Sequence, residues 1–276
     1  MQLHSNTLQI HSKEKLKWLT FPHFDATGKT KHCFTTKHGG VSHGIYQSLN
    51  LGFSRGDEEE NVRENYQIIC KAIEVDENDL VFSQQVHKDQ IYHVTSQDMG
   101  KGYRLDSDIK EIDGLITNEK GIPLITFYAD CVPLFFLDQV KEVVALAHAG
   151  WRGTVQKIGA KMVTVMQESY GSDMKDILIG IGPSIGSCCF EVGEEVVNEF
   201  KKAFPDEEKY LIMPRQNGKY MIDLWSANKL TLIKEGILED NILITDLCTK
   251  CHLDHFYSHR GHHGMRGSLA AIIQLK

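Results

Sequence analysis

The sequence lacks a long uninterrupted apolar run, an excess of basic residues and any long run of like charges. Its most apolar stretch, residues 123–138, contains Asp130 and ends at Asp138, so we expect no membrane span. The N-terminus has no apolar segment of signal-peptide length, which favours a cytoplasmic location. Thirty lysines and arginines against 37 aspartates and glutamates give a net charge of −7. That balance argues against a nucleic-acid partner or an anionic membrane surface.

Internal repeats, low-complexity segments and Pro/Gly/Ser-rich linkers are also missing. We therefore predict one domain over residues 1–276, with residues 1–30 as an N-terminal extension, and a 41% hydrophobic content that can fill a core. The cysteines number seven, and an odd count argues against a disulfide framework. The thiols are then expected to be buried, metal-bound or reactive in a reducing compartment.

Hydrophobic periodicity predicts helices over residues 57–73, 154–170, 193–203 and 224–235. At the start of the first helix, Asp57 and Glu60 have the spacing of a capping box. Runs of β-branched and aromatic residues predict strands at 31–36, 79–84, 91–96, 123–128, 133–138, 142–149, 176–182 and 241–245. Many of these strands follow one another without a helix between them. The pattern favours an α+β fold with a mixed, largely antiparallel β-sheet core flanked by helices.

Fourteen histidines and seven cysteines favour a metal site. Cys131 and His148 lie at the ends of apolar strands, where side chains can point into a pocket, and His87 follows another predicted strand. One thiolate and two imidazoles form a three-ligand zinc set that leaves a fourth position open. After His148 a turn containing Gly150 and Arg152 enters a helix, a suitable place for an anion such as phosphate.

Two other interpretations of these residues stay open at this level. A Cys131 nucleophile with His148 as its base would make the protein a cysteine hydrolase. A non-enzymatic protein stabilised by zinc would lose thermal stability, but no turnover, when His148 is replaced by alanine.

A second group of soft ligands lies near the C-terminus. Cys248, Cys251 and His252 match the haem-attachment pattern CxxCH, which the absence of an export signal disfavours. With His255 they could form a second zinc site, although no second ligand pair supports it. The histidines between residues 252 and 263 are equally typical of a polar surface loop.

Eight motifs in the same order resemble the YfiH-type family, whose members are called multicopper polyphenol oxidoreductases or laccase-domain proteins and also purine nucleoside phosphorylases. The motifs are FTTKHGGVSHGIYQSLNLG (34–52), GDEEENVRENY (56–66), QQVH (84–87), DGLIT (113–117), ADCVP (129–133), HAGWRGT (148–154), GPSIGSCCFEVG (182–193) and the segment 248–260. The resemblance runs from about residue 30 to the C-terminus. Ser187, where the family usually has proline, and Tyr257, where phenylalanine is common, are small departures.

The resemblance implies zinc ligands at His87, Cys131 and His148. It also implies phosphorolysis of adenosine, inosine and methylthioadenosine, with adenosine deaminase activity, so that the partners are purine nucleosides and phosphate. Phosphorolysis needs a cationic phosphate site and stabilisation of an oxocarbenium-like ribosyl centre. The candidate residues for these tasks are Arg55, Arg152 and Arg260 around phosphate, Asn50 and Asp130 beside ribose or base, and His259 near the pocket.

An older interpretation of the family is copper-dependent oxidation of polyphenols, with copper as the cofactor. Multicopper oxidases resemble one another in paired HxH motifs. No two of the 14 histidines here are separated by a single residue, which disfavours that interpretation.

Overall fold

The computed structural model describes residues 3–276, which form 15 strands and seven α-helices. The strands are β1 (Gln9–Lys13), β2 (Leu16–Thr20), β3 (Thr30–Thr35), β4 (Val81–Phe82), β5 (Ile91–His93), β6 (Gly114–Thr117), β7 (Leu124–Tyr128), β8 (Val132–Asp138), β9 (Val143–Ala149), β10 (Ile177–Ile181), β11 (Glu191–Val192), β12 (Ile212–Pro214), β13 (Tyr220–Ile222), β14 (Ile242–Ile244) and β15 (Leu269–Leu275). The helices are α1 (Pro22–Asp25), α2 (Glu59–Ile73), α3 (Trp151–Val155), α4 (Ile158–Tyr170), α5 (Glu194–Ala203), α6 (Glu208–Leu211) and α7 (Leu224–Lys234).

The strands form two six-stranded sheets and one small sheet. The first sheet has the order β1-β2-β3-β15-β7-β4, and the second has the order β14-β10-β8-β9-β6-β5. A third sheet joins β11, β13 and β12. The parallel pairs are β4 with β7, β5 with β6, and β10 with β14, and the other pairs are antiparallel. The predicted α+β fold with a mixed, largely antiparallel sheet in a single domain is confirmed.

The two large sheets pack face to face, and helices cover their outer faces. Successive side chains on a strand point to opposite faces, so Phe135 and Leu137 of β8 lie in the core between the sheets. Leu134 and Phe136 point the other way, into the core that the second sheet shares with α4. On the outer face of the first sheet, α2 packs through Val62, Tyr66, Ile69, Cys70 and Ile73. A strand that is buried on both faces needs apolar residues on both, which explains the short apolar runs of strand length in the sequence.

Two predicted helix features are wrong in detail. The helix expected over 154–170 consists of α3 and α4, separated at Lys157, whose φ of 59° is left-handed. Asp57 is not the cap of α2, because its carboxylate accepts hydrogen bonds from Ser42 Oγ and Asn50 Nδ2 instead of closing a capping box. The strand predicted over 79–84 is only two residues long, Val81–Phe82.

The sequence interpretation missed several strands. The segment predicted as an N-terminal extension contains the hairpin β1–β2, which pairs with β3 and extends the first sheet. The C-terminal strand β15 lies between β3 and β7 at the centre of that sheet. Its burial depends on pairing with strands more than a hundred residues away, and local periodicity contains no information about such pairing. Within residues 3–276, no helix combines the length and the apolar character that crossing a membrane requires.

His32 on β3 makes the folded state sensitive to acid. Its Nε2 accepts the backbone N–H of Phe21 at 2.8 Å, and burial, reinforced by the nearby His23, lowers its pKa from 6.5 to about 3. A folded-state pKa below the unfolded value gives a stability contribution that is complete above pH 6.5 and is lost as the pH falls. Between pH 7.5 and 5 we expect His32 to remove about 2 kcal/mol from the free energy of unfolding.

Urea unfolding at the two pH values measures this loss. In His32→Gln the amide oxygen can still accept the Phe21 N–H but does not titrate, so the variant should lose about 2 kcal/mol less than the wild type over the same interval. Equal acid sensitivity of the two proteins would contradict the assignment.

Candidate active site

One buried carboxylate, that of Asp113 just before β6, organises the candidate site. Its Oδ1 lies 2.7 Å from Nδ1 of His148, which is part of β9. The same carboxylate accepts the backbone N–H groups of Val86, His87 and Lys88 at 2.8 to 3.1 Å. His87 has a left-handed φ of 62°, and these bonds hold that uncommon conformation. Asp113 therefore orients the His148 ring, as carboxylates commonly do behind metal-bound imidazoles, and it fixes the backbone that carries His87.

Cys131 completes a set that we call the triad, His87, Cys131 and His148. Its loop joins β7 to β8, and the three potential ligand atoms all lie within 4.8 Å of one another. The structure thus brings together the three residues predicted as metal ligands. Because Nδ1 of His148 is engaged by Asp113, Nε2 is the nitrogen left for a metal ion or for the thiol.

The electrostatics of the triad favour a thiolate. Burial disfavours the charged forms of both Cys131 and His148, but each stabilises the charge of the other. The pKa of Cys131 is lowered by the two histidines, and the pKa of His148 is raised by Cys131 and Asp113. A thiolate between two imidazoles suits a soft or borderline metal ion, and it also suits a nucleophile.

Gly150 leaves the space that the triad needs. A Cβ at this position would lie 3.0 Å from Cδ2 of His87 and 3.1 Å from Sγ of Cys131, closer than side chains normally approach. The residue also begins α3 as its N-cap. The glycine in the turn after β9 is therefore required by the packing of the ligands.

The triad opens into a cavity of about 760 Å³, a volume typical of small-molecule sites. Aromatic and cationic side chains line it together with Asp130 and several small or neutral polar residues. The lining includes Phe53, Arg55, Phe82, Phe127, Asp130, Phe190, His259, Arg260, Arg266 and Ser268. Four of the predicted site residues outside the triad, Arg55, Asp130, His259 and Arg260, thus share one cavity with it.

Three arginines converge on this cavity. Arg55 Nε lies 3.1 Å from Ser268 Oγ, and Arg260 Nη1 donates to the Glu191 carbonyl at 2.7 Å. Arg266 is buried, and its Nε has no hydrogen-bond partner among residues 3–276. Burial and the charge of Arg55 lower the pKa of Arg266 to about 10, still well above neutrality. Arg266 Nη1 donates to the Gly267 carbonyl at 2.9 Å, so the backbone beside it holds this guanidinium at the cavity wall.

Asp130 holds an uncommon backbone conformation beside the triad. Its φ is 88°, in the region that favours glycine. Thr249 Oγ1 and the Arg260 backbone N–H donate to its carboxylate at 2.6 and 2.7 Å, and Ile185 N–H donates to its carbonyl at 2.9 Å. Such an over-determined conformation next to a cavity is typical of a functional position.

Two predicted substrate residues lie outside the cavity lining. Arg152 is exposed, and its guanidinium stacks 4.2 Å from the ring centroid of its neighbour Trp151. Asn50 is fully buried, and its Oδ1 accepts hydrogen bonds from the backbone N–H groups of Gly52 and Ser268. Asn50 thus fixes the loop that carries Arg55 rather than facing the cavity.

Sequence reasoning missed Asp113 and Arg266. Asp113 belongs to the DGLIT motif, and an acidic residue directly before a short apolar strand was the available signal. Arg266 lies between the histidine-rich segment and the C-terminal apolar run, so recognising that run as a strand would have drawn attention to it.

Replacing Asp113 by asparagine should weaken metal binding at the triad by about 10- to 100-fold, because loss of a carboxylate behind a ligating histidine commonly has an effect of that size. Competition with a chelator measures the affinity. Asp138→Asn is the matched control, since Asp138 is equally buried and caps the turn after β8 through Val140 and Lys141. An equal loss in both variants would assign the effect to general destabilisation.

The fold and the site define an α+β protein that could hold a metal ion at a His–Cys–His triad beside an arginine-lined cavity. The chain belongs to the family described as multi-copper polyphenol oxidoreductase laccase, which its residues 31–276 match.

Relatives and solved structures agree with this membership. The chain is 39% identical over 244 residues to the purine nucleoside phosphorylase YlmD of Bacillus subtilis, covering 88% of this chain and 87% of that protein. The crystal structure of YfiH from Bacillus licheniformis is similar with a TM-score of 0.92 and 34% identity, covering 98% of this chain and all of the other. YlmD from Geobacillus stearothermophilus gives a TM-score of 0.91 at 34% identity, covering 97% and 98% of the two chains.

Proposed function

We propose that the protein is a zinc-containing purine nucleoside phosphorylase acting on adenosine, inosine and methylthioadenosine, with adenosine deaminase as a side activity. Relatives named as purine nucleoside phosphorylases support the class of activity. The observation that carries the proposal is the meeting of three arginines, Arg55, Arg260 and Arg266, in the lining of the cavity that holds the triad. Guanidinium groups gathered in this way suit the oxygens of a phosphate.

The cavity lining offers groups suited to both substrates. Phe53, Phe82, Phe127 and Phe190 offer apolar faces of the kind on which a purine base can stack. Arg55, Arg260 and Arg266 offer guanidinium groups for phosphate. A volume of about 760 Å³ is within the range of cavities that enclose a ligand of nucleoside size together with a small anion.

In phosphorolysis a phosphate oxygen forms a bond to C1′ of the ribose while the bond from C1′ to the purine nitrogen breaks. The purine leaves with the electron pair and takes up a proton, and ribose 1-phosphate remains. The transition state carries positive charge on the ribosyl centre, which the bound phosphate stabilises if the arginines hold it against C1′. Asp130 positions the backbone of Arg260 through the bond to its N–H, so the two act as one unit.

The triad fits zinc in its donor set, its thiolate character and the carboxylate that anchors His148. Zinc bound there would supply a Lewis acid at the cavity wall. His87, Cys131 and His148 would hold it, and Asp113 would keep the His148 imidazole oriented and the His87 backbone fixed. Two imidazoles and a thiolate also suit copper, which the oxidase interpretation requires, so metal analysis of the purified protein discriminates between the two.

The direct test incubates the purified protein with inosine, adenosine or methylthioadenosine, with and without phosphate, and separates the products by chromatography. We expect free base and a pentose 1-phosphate only when phosphate is present, namely ribose 1-phosphate from inosine and adenosine and 5-methylthioribose 1-phosphate from methylthioadenosine. Inosine should form from adenosine in both conditions. Zinc content is measured on the same preparation. If no purine nucleoside releases its base in a phosphate-dependent reaction, the phosphorylase proposal is wrong. Oxidation of a phenol without base release would favour the copper enzyme.

A further inference from the structure

Four cysteines from two distant segments meet outside the triad. Cys188 and Cys189 follow β10, and Cys248 and Cys251 follow β14. Their four sulfur atoms all lie within 4.8 Å of one another. Sγ of Cys251 lies 3.5 Å from Sγ of Cys188 and 3.5 Å from Sγ of Cys189. We call this group the cysteine cluster.

We propose that the cysteine cluster binds a structural zinc ion, in addition to any metal held by the triad. Four thiolates are a common ligand set of closed structural zinc sites. With zinc–sulfur bonds of about 2.3 Å, a tetrahedral site separates its sulfurs by about 3.8 Å, close to the observed spacing. The histidines near the pair at 248 and 251 are not needed, because the second ligand pair comes from residues 188 and 189.

The arrangement around the sulfurs favours an ion over a disulfide. Cys251 is equidistant from two other thiols, whereas a disulfide would pair it with one of them at about 2 Å. The backbone N–H of Gly186 donates to Sγ of the buried Cys248 at 3.3 Å, a contact that suits a metal-bound thiolate. With four cysteine ligands a tetrahedral zinc ion has no coordination position left for a substrate, so its role is structural.

The site would connect two segments that build the cavity wall. From the first segment, Ile185 donates its N–H to the Asp130 carbonyl, and from the second, Thr249 donates to the Asp130 carboxylate. Zinc at the cysteine cluster would fix these two loops against each other and so fix Asp130. We expect loss of this zinc ion to lower the melting temperature of the protein. It should also raise the KM for the substrate more than it lowers kcat.

The first measurement is the metal content of the wild-type protein. The protein is purified under reducing conditions from zinc-supplemented cells, and we expect two zinc ions per chain. Cys188→Ser with Cys251→Ser should lose one ion. His87→Ala with His148→Ala should lose the other and keep the one at the cysteine cluster. Cys70→Ala is the control, because Cys70 is a buried thiol of α2 outside both sites, and it should keep both ions.

Cobalt substitution gives a second signature. A four-thiolate site produces a much stronger sulfur-to-cobalt charge-transfer band than a site with one thiolate, so this band should persist in the double histidine variant and disappear in the double cysteine variant.

Several results would overturn the inference. One is a content of one zinc per wild-type chain that stays the same in the double cysteine variant. Another is iron in place of zinc. The third is a disulfide at Cys251 in the mass spectrum of the metal-replete protein. The cobalt spectrum of the wild-type protein needs no variant to fold, because a four-thiolate band there reports the cysteine cluster directly, and its absence would also overturn the inference. Neither that spectrum nor the zinc count depends on which reaction the cavity supports. Failure of the phosphorylase proposal and failure of this one are therefore distinguishable.

Discussion

His148→Ala is expected to abolish metal binding at the triad and to lower the rate of phosphorolysis at least about 100-fold, which corresponds to several kcal/mol of lost transition-state stabilisation. His148 is buried and is the ligand most rigidly held, since its Nδ1 is bonded to Asp113. Alanine removes the ligand and also leaves the Asp113 carboxylate without a side-chain partner. Zinc content and phosphate-dependent release of base from inosine measure the two effects.

His93→Ala provides the matched control. His93 is an exposed histidine at the end of β5, and its ring contacts Tyr170 rather than the cavity. We expect this variant to keep both its zinc and its turnover. A His148→Ala protein that loses melting temperature but no turnover would instead support a zinc-stabilised binding protein.

The effect of removing the metal from the triad distinguishes the phosphorylase proposal from the cysteine hydrolase interpretation. A thiolate bound to zinc is not available as a nucleophile. Removing the metal should therefore abolish activity, and adding zinc should restore it. A metal-free protein that stays fully active and is inactivated by alkylation of Cys131 would contradict the zinc proposal and favour the hydrolase.

Arg266→Gln is the second change with a large expected effect, and it should raise the KM for phosphate about 10- to 100-fold. A charge-assisted hydrogen bond to an ionised group contributes about 1.5–3 kcal/mol, and Arg266 is a buried cation in the cavity lining. The KM for the nucleoside should change much less. Steady-state kinetics with phosphate and inosine varied separately measure the two constants.

Two further arginines sharpen the test. Arg215 is exposed and follows β12, so Arg215→Gln removes a positive charge without touching the cavity and should leave both constants unchanged. Arg152→Gln tests the sequence-based expectation that phosphate binds at the start of the helix after His148. If Arg152→Gln raises the KM for phosphate and Arg266→Gln does not, the phosphate site lies there rather than among Arg55, Arg260 and Arg266.

Local sequence patterns predicted the type of fold, whereas the triad residues were only candidates until the family resemblance pointed to the same three positions. Strand-length apolar runs without intervening helices predicted the largely antiparallel sheets, because a strand buried on both faces needs apolar residues on both. Polar groups at the ends of such runs identified Cys131 and His148. The centres of helices were predicted better than their ends, since the left-handed turn at Lys157 and the use of Asp57 depend on neighbours that are distant in sequence.

The sequence by itself determined the α+β class and the apolar layers, and with the family resemblance it predicted a soft ligand set at positions 87, 131 and 148. Only the tertiary structure decided which charged groups meet: it placed Asp113 behind the two histidines and Arg266 in the cavity, and it left Arg152 outside. It also joined Cys188 and Cys189 to Cys248 and Cys251. The physical reason is that spacing along the chain governs contacts within one helix or strand, whereas contacts between elements depend on sheet order and on the packing of whole layers.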